Sequence, residues 1–230
     1  LSKRSIEFAR QMGTLSFACC PIIGDNESLG ILAVDNVRSK RLLLHSDMSL
    51  LMGVSNIIGI SIRHTQHIEA REKQLQSVVQ VMVSTIDARD PVTKGHSEWV
   101  ARYADGICEQ LGIDKDYREV VRVAALLHDY GKIGIPDRLL KKKAALTRDE
   151  YEYIKCHVEK TIDILKQINF EGRLRQVPKI AGAHHEKYDG SGYPNGLMGQ
   201  DIPLGARIIA VADYFEALTA NRYYNKPVTP

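Results

Sequence analysis

Thiol chemistry has little to work with in this 230-residue chain: its four cysteines, Cys19, Cys20, Cys108 and Cys156, include no C-x-x-C pair. That spacing gives no disulfide framework, so reduced and partly buried thiols are expected. Net charge is also scarce. A formal +3 is too small to argue for nucleic-acid binding, although it does not oppose an anionic ligand. Long apolar runs are missing as well. The longest, Leu50 to Ile62, is broken by Ser55, contains Gly53 and Gly59, and is too short to cross a bilayer. No signal peptide is visible, and the expectation is a soluble, cytoplasmic protein without a membrane span in this chain.

What is present is an ordinary globular composition, 44% hydrophobic and 26% charged, with length for one large or two modest domains. "SFACCPII" and "LGILAVDNV" are β-rich runs joined by the turn-forming "GDNES", which predicts a hairpin. Ser46 is expected to cap a helix in which Leu50, Leu51, Val54, Ile57 and Ile58 recur at helical spacing. From Arg63 to Arg89 no glycine or proline interrupts a polar, helical stretch. Ile68, Leu75 and Met82 repeat there every seven residues, with Val78 between them, as in a parallel two-helix seam. A single amphipathic connector packed on its own domain accounts for that pattern equally well.

After "DARDPVTKG" the chain becomes almost entirely helical. "HSEWVARYADGICEQLGI" carries Val100, Tyr103, Ile107 and Leu111 on one stripe, and "REVVRVAALLHDYG" is apolar until it stops at Gly131. Thr147 with Glu150 makes a capping box for one helix, "RDEYEYIKCHVEKTIDILKQI". "PLGARIIAVADYFEALTA" supplies another, with Pro203 near its start. The expected fold is α+β overall: a partial α/β domain over residues 1–65, a connecting helix over 66–86, and an all-α bundle over 87–230. "EKYDGSGYPNGLMGQDI" is the bundle's main irregular loop.

Five of the eight histidines, His96, His128, His157, His184 and His185, fall in this second part. The helical ones sit on or beside the apolar stripe of their segments, so they point inward. Two carboxylates join them: Asp129 ends a nearly pure apolar helix, and Asp213 lies inside "RIIAVADYF". A buried unpaired carboxylate is expensive and needs a cation or several donors. Taken singly, each histidine reads as a core residue with a satisfied ring nitrogen, and Asp213 as a partner for Arg207. Taken together they point to divalent Fe, Mn, Co or Zn, and the absence of cysteine ligands favours a catalytic pair over a structural zinc.

These residues carry a resemblance. "HDYGKIGIPD" resembles the H-D-x-G-K-x-x-x-P segment of HD-GYP domains, a branch of the HD metal phosphohydrolases. "HHEKYDGSGYPNGLMGQDIPLGARIIAVADYFEALTANRYY" resembles their H-H-E-x-x-D-G-x-G-Y-P block, and "DPVTKGHSEWVARYA" their opening histidine helix. The resemblance implies a phosphodiesterase of cyclic di-GMP, giving linear pGpG and in some members GMP. It implies one metal held by His96, His128, Asp129 and Asp213. A second would be shared through Asp129 and held by His157, His184 and His185. The ions implied are two divalent transition metals, Fe or Mn, which polarise the phosphoryl oxygen and activate water, while Lys132 contacts the scissile phosphate. Arg222 and Lys226 are expected to bind the second phosphate or a guanine, and Tyr193 to shape the substrate rim. Gly190 and Gly192 would permit positive φ in that loop. A GGDEF cyclase domain is the protein partner such a loop implies.

Two departures matter. Members with a third metal carry a glutamate four residues before the first histidine, where this chain has Val92, so two metals are expected. The usual "DxFDAL" reads "DYFEAL" here, and Glu216 in place of aspartate is expected to alter a hydrogen bond behind the metal ligands. The N-terminal third resembles the later half of a GAF sensory domain, by a proline ending one strand, a G-x-L-x-V-D strand and an apolar closing helix. Within it, Cys19 and Cys20 read as two small buried strand residues. Gating of the hydrolase by this region, and a homodimer through the connecting helix, follow as expectations. A receptor that binds cyclic di-GMP without turning it over, and an HD phosphohydrolase acting on another nucleotide, are the rival readings.

Overall fold

The computed structural model describes residues 7, 10–11, 17–89 and 95–220. The chain divides into two compact units, Leu1–Leu75 and Gln76–Pro230. Among the described residues, no helix is long and apolar enough to cross a membrane.

In the first unit the expected hairpin is present. Strand β1 (Phe17–Gly24) pairs antiparallel with β2 (Glu27–Asp35), from Phe17 opposite Asp35 to Gly24 opposite Glu27, with a one-residue register shift between Ile22 and Ile23. The two-residue turn between them, Asp25 and Asn26, has φ of 49° and 63°, the left-handed geometry that matches the twist of the flanking strands. Period-two alternation separates the adjacent cysteines: Cys20 is buried with Ala18 and Leu51, whereas Cys19 is exposed. Only one of the two is the buried residue expected.

Helix α1 spans His45–Arg89 without a break, so the closing helix and the connector are one element. It begins before Ser46, which therefore does not cap it. The carboxylate of Asp47 instead accepts the N–H of Leu44 at 2.7 Å, which holds Asp47 below the usual carboxylate range. Ser55 then ties α1 to the hairpin by donating to the Pro21 carbonyl at 2.6 Å.

The second unit is helical: α2 (His96–Gln110), α3 (Lys115–Leu127), a 3-10 turn (Tyr130–Gly134), α4 (Asp137–Leu140), α5 (Arg148–Lys155), α6 (His157–Leu165), α7 (Val177–Ala181) and α8 (Leu204–Thr219). The apolar run of α3 is its centre, with Val120, Val121 and Val123–Leu127 buried against α2, α7 and α8. On α2 the buried face is Val100, Ala101, Ala104 and Cys108, while Leu111 of the expected stripe is exposed. Two alanines on that face allow α3 to approach closely, which a stripe of large side chains would prevent.

The Thr147–Glu150 capping box forms as read, but the helix it starts is broken at Cys156. There the Cys156 N–H bonds the Tyr153 carbonyl three residues back, at 3.1 Å. That tighter turn begins a new helix at His157 and directs this side chain inward.

Candidate metal centre

Helix ends deliver most of the chemistry-bearing side chains. His96 is the first residue of α2, His128 follows the last residue of α3, and His157 opens α6. His184 and His185 lie in the turn after α7, and Asp213 lies on α8. His96, His128, Asp129, His157 and His184 are buried. Their ligand atoms fall into two groups, each within 4.8 Å: Asp129, His157, His184 and His185 in one, and His96, His128 and Asp129 in the other.

Asp129 belongs to both groups because its two oxygens face different ways. Oδ1 lies 3.3 Å from His157 Nε2 and 4.0 Å from His184 Nε2. Oδ2 lies 3.4 Å from His128 Nε2, 4.0 Å from His96 Nε2 and 2.5 Å from Lys132 Nζ. Asp213 Oδ1 reaches the same His96 Nε2 at 3.2 Å. The expected partnership of Asp213 with Arg207, as an alternative to metal chemistry, is replaced by this contact.

The ring tautomers are set from behind. His128 Nδ1 donates to the Ala125 carbonyl, His157 Nδ1 to Ile154 and His184 Nδ1 to Ala181, at 2.6, 2.7 and 2.6 Å. Each bond reaches three residues back and leaves Nε2 with a lone pair facing the interior. All three Nε2 atoms are buried and make no hydrogen bond, because in these tautomers both they and the Asp129 oxygens are acceptors. Three orphaned acceptors around a shared carboxylate fit divalent cations, and the nitrogen and oxygen donors suit a transition metal.

Electrostatics agree. Burial, then the neighbouring His185 and His128, holds His184 well below the ordinary histidine range. Burial and His157 push His185 down to about 4. Both rings are neutral near pH 7, as ligation requires. For His96 burial acts against the charge, but hydrogen bonds to Asp213 and Glu216 prevail and raise it to about 9. Burial likewise opposes ionisation of Asp129, yet Lys132, His128 and His157 hold it well below the usual carboxylate range. His96 bonding similarly lowers Asp213 against its desolvation.

The surrounding residues fix this arrangement. Glu216 Oε2 accepts His96 Nδ1–H at 2.5 Å, so the departure at position 216 acts directly on a histidine of the centre. Thr161 accepts the Gly131 N–H at 2.8 Å and donates to the His128 carbonyl at 3.1 Å. At Gly131 a Cβ would overlap the His157 carbonyl, so only glycine lets the turn and α6 meet. Tyr193 stacks on His185 with centroids 4.7 Å apart and planes at 28°, and burial pushes its hydroxyl pKa up.

In the loop, Glu186 is buried and accepts backbone N–H groups from Asn195 at 2.8 Å and Leu197 at 3.0 Å. Gly190 has the expected positive φ, 79°, but Gly192 does not. Gly192 is needed instead for close approach to the backbone of residues 185–187. Arg222, Lys226 and Val92 lie outside the described residues. Sequence reading assigned no role to Thr161 or Glu186. Thr161 sits in an amphipathic helix with nothing to mark it, whereas an acidic residue directly after two histidines was a usable signal.

The HD domain family model matches residues 80–230, and the GAF domain model matches residues 2–62. The chain is 33% identical, over all 230 residues and 44% of the relative, to 3'3'-cGAMP-specific phosphodiesterase 2 of Vibrio cholerae. It is 42% identical over 163 residues to the cyclic di-GMP phosphodiesterase response regulator RpfG of Xanthomonas campestris, covering 70% of this chain and 42% of that one. Among solved structures, the cyclic GMP-AMP specific phosphodiesterase V-cGAP3 of V. cholerae is 38% identical over 67% of this chain and 34% of that chain, with a TM-score of 0.39. The chain thus spans less than half the length of these curated relatives.

Proposed function

The chain belongs to the HD domain family, in its HD-GYP branch with part of a GAF domain ahead, and from that premise we propose that it hydrolyses cyclic di-GMP to linear pGpG. The observation that carries this reading is Asp129, whose two oxygens serve two groups of imidazoles, three of which, His128, His157 and His184, bury an Nε2 that makes no hydrogen bond. His96, His128, Asp129 and Asp213 would hold one divalent cation, and Asp129, His157, His184 and His185 the second, with Fe or Mn the ions suited to these donors. When bound, such a pair supplies Lewis-acid polarisation of the phosphoryl oxygen and a water acidic enough to attack near neutral pH.

The protein's own part is orientation and charge. The carbonyls behind His128, His157 and His184 hold each ring in one tautomer, so none of these three rings has to change tautomer before ligation. Lys132, beside Asp129 Oδ2, places a cation where the equatorial phosphoryl oxygens gather negative charge. Tyr193 on His185 forms a wall that orients the substrate and limits water. Arg222 and Lys226 would take the second phosphate or a guanine. The GAF region regulates the hydrolase, α1 carries a homodimer seam, a GGDEF domain docks at the loop, and the whole acts in the cytoplasm.

A second substrate reading, 3'3'-cGAMP, is favoured by the relative that aligns along the entire chain and bears that specificity in its name. Protein loaded anaerobically with Fe(II) or Mn(II) is incubated with each dinucleotide, and the products are resolved by chromatography. Faster turnover of cyclic di-GMP, abolished in Asp129→Ala, supports the first reading, and faster turnover of the hybrid supports the second. Tight binding without products, in protein shown to carry its metals, makes the chain a receptor.

A further inference from the structure

The turn that carries Lys132 is gripped by a residue outside the histidine cluster. Arg89, the last residue of α1, sends Nη1 to the carbonyls of Lys132, at 3.4 Å, and Ile133. Its Nη2 donates to the Ile135 carbonyl at 2.6 Å. Nε and Nη2 together hold Asp137 Oδ1, at 3.1 and 2.9 Å. One guanidinium thus collects three carbonyls and a carboxylate from residues 132–137, which a planar fork of five donors achieves and an ammonium does not.

The end of the five-residue 3-10 turn is where Arg89 binds: the Lys132 carbonyl accepts the Ile135 N–H at 3.0 Å as well as Arg89, and the guanidinium adds the carbonyls of Ile133 and of Ile135 just past the turn. The opposite side of the same turn is fixed by Thr161, through Gly131 N–H and the His128 carbonyl. Held from both sides, the backbone places Asp129 and Lys132 together, with Lys132 Nζ at 2.5 Å from Asp129 Oδ2.

We propose that Arg89 is a positioning residue: it sets the Lys132 backbone, and through it the cation offered to the transferred phosphoryl group. This rests on the hydrolase reading above for the role of Lys132. Arg89 also terminates a helix that starts at His45, so the position of the Lys132 turn is tied to the end of α1.

The test compares wild type, Arg89→Ala, Arg89→Lys, Lys132→Ala and the double variant Arg89→Ala/Lys132→Ala, all loaded with Mn(II). Arg89→Ala should lower kcat roughly 10- to 100-fold, with KM and bound manganese nearly unchanged, because misplacement of a catalytic group acts on the reacting step. In the Lys132→Ala background the same change should cost less than about 2-fold, since its effect runs through the missing lysine. Losses that multiply in the double variant overturn the proposal. Hydrogen–deuterium exchange supplies a readout independent of turnover. Amides of residues 130–137 should exchange faster in Arg89→Ala and, to a smaller degree, in the better-folding Arg89→Lys, while those of α2 keep their protection. Unchanged exchange in that turn also overturns the proposal. If wild type hydrolyses no cyclic dinucleotide, the substrate reading fails, whereas exchange still decides what Arg89 does.

Discussion

Glu216 Oε2 accepts the Nδ1–H of His96 at 2.5 Å, joining two residues 120 positions apart across the α2–α8 contact. The bond turns His96 Nε2 toward Asp213 and Asp129, so a carboxylate behind the ring decides how that nitrogen is aimed. Glu216→Ala should weaken metal binding about 10- to 100-fold with the fold retained. Glu216→Gln, which keeps an acceptor oxygen, should recover much of it. Titration of manganese against a competing chelator measures both, and wild-type affinity in the alanine variant would show that the bond is dispensable.

Protonation of His96 gives metal binding a pH dependence of definite sign. In protein stripped of metal its pKa is raised to about 9, whereas ligation needs the neutral ring. Affinity should therefore climb with pH up to about 9 and then level off. At pH 7.5, calorimetry in buffers of different ionisation enthalpy should detect about one proton released per chain. The same shift stabilises the stripped protein fully below pH 6.5, and that contribution is lost as pH rises through about 9. A flat affinity between pH 6 and 9 would place the proton elsewhere.

Gly131→Ala should fail through packing. The added methyl meets the His157 carbonyl, so the turn and α6 must part. A cost of roughly 1–3 kcal/mol is expected, lowering Tm by about 2–4 °C for each kcal/mol. Thermal melts of the metal-free protein check this, and an unchanged Tm would mean that the backbone adjusts freely.

Releasing the loop is the expected effect of Glu186→Ala, which strands the N–H groups of Asn195 and Leu197. A fully buried unpaired amide costs about 1–3 kcal/mol, and these two cost less because Asn195 is exposed and Leu197 half-buried. Limited proteolysis within residues 187–203 should accelerate, and KM should rise while bound metal stays constant. Equal cleavage rates in wild type and variant would remove Glu186 as the loop's anchor.

Metal content provides a count. Valine at position 92 offers no ligand, so elemental analysis of anaerobically purified protein should find two ions per chain. Three tightly bound ions would contradict this.

The parts of the fold that were legible in the sequence are those encoded within a few residues. The β-hairpin follows from "GDNES", and the Thr147–Glu150 box from a spacing of three. The histidines were legible only as a set, because one inward imidazole reads as a core residue whereas five with two carboxylates on successive segments do not. Contacts across long separations were not. Neither the Arg89 grip on residues 132–137 nor the Thr161 link to His128 leaves a periodic trace, since each joins elements that meet only after the bundle closes. The break at Cys156 was hidden too, because no glycine or proline marks it.

Three of the imidazoles are each tethered to a carbonyl inside their own tetrapeptide. A loop that short closes on the timescale of local helix formation, far ahead of the docking of distant segments. Each of these segments can therefore select, by a contact within itself, which ring nitrogen keeps its lone pair. The choice of nitrogen is written locally, four residues at a time, and global folding has only to gather the finished pieces around Asp129.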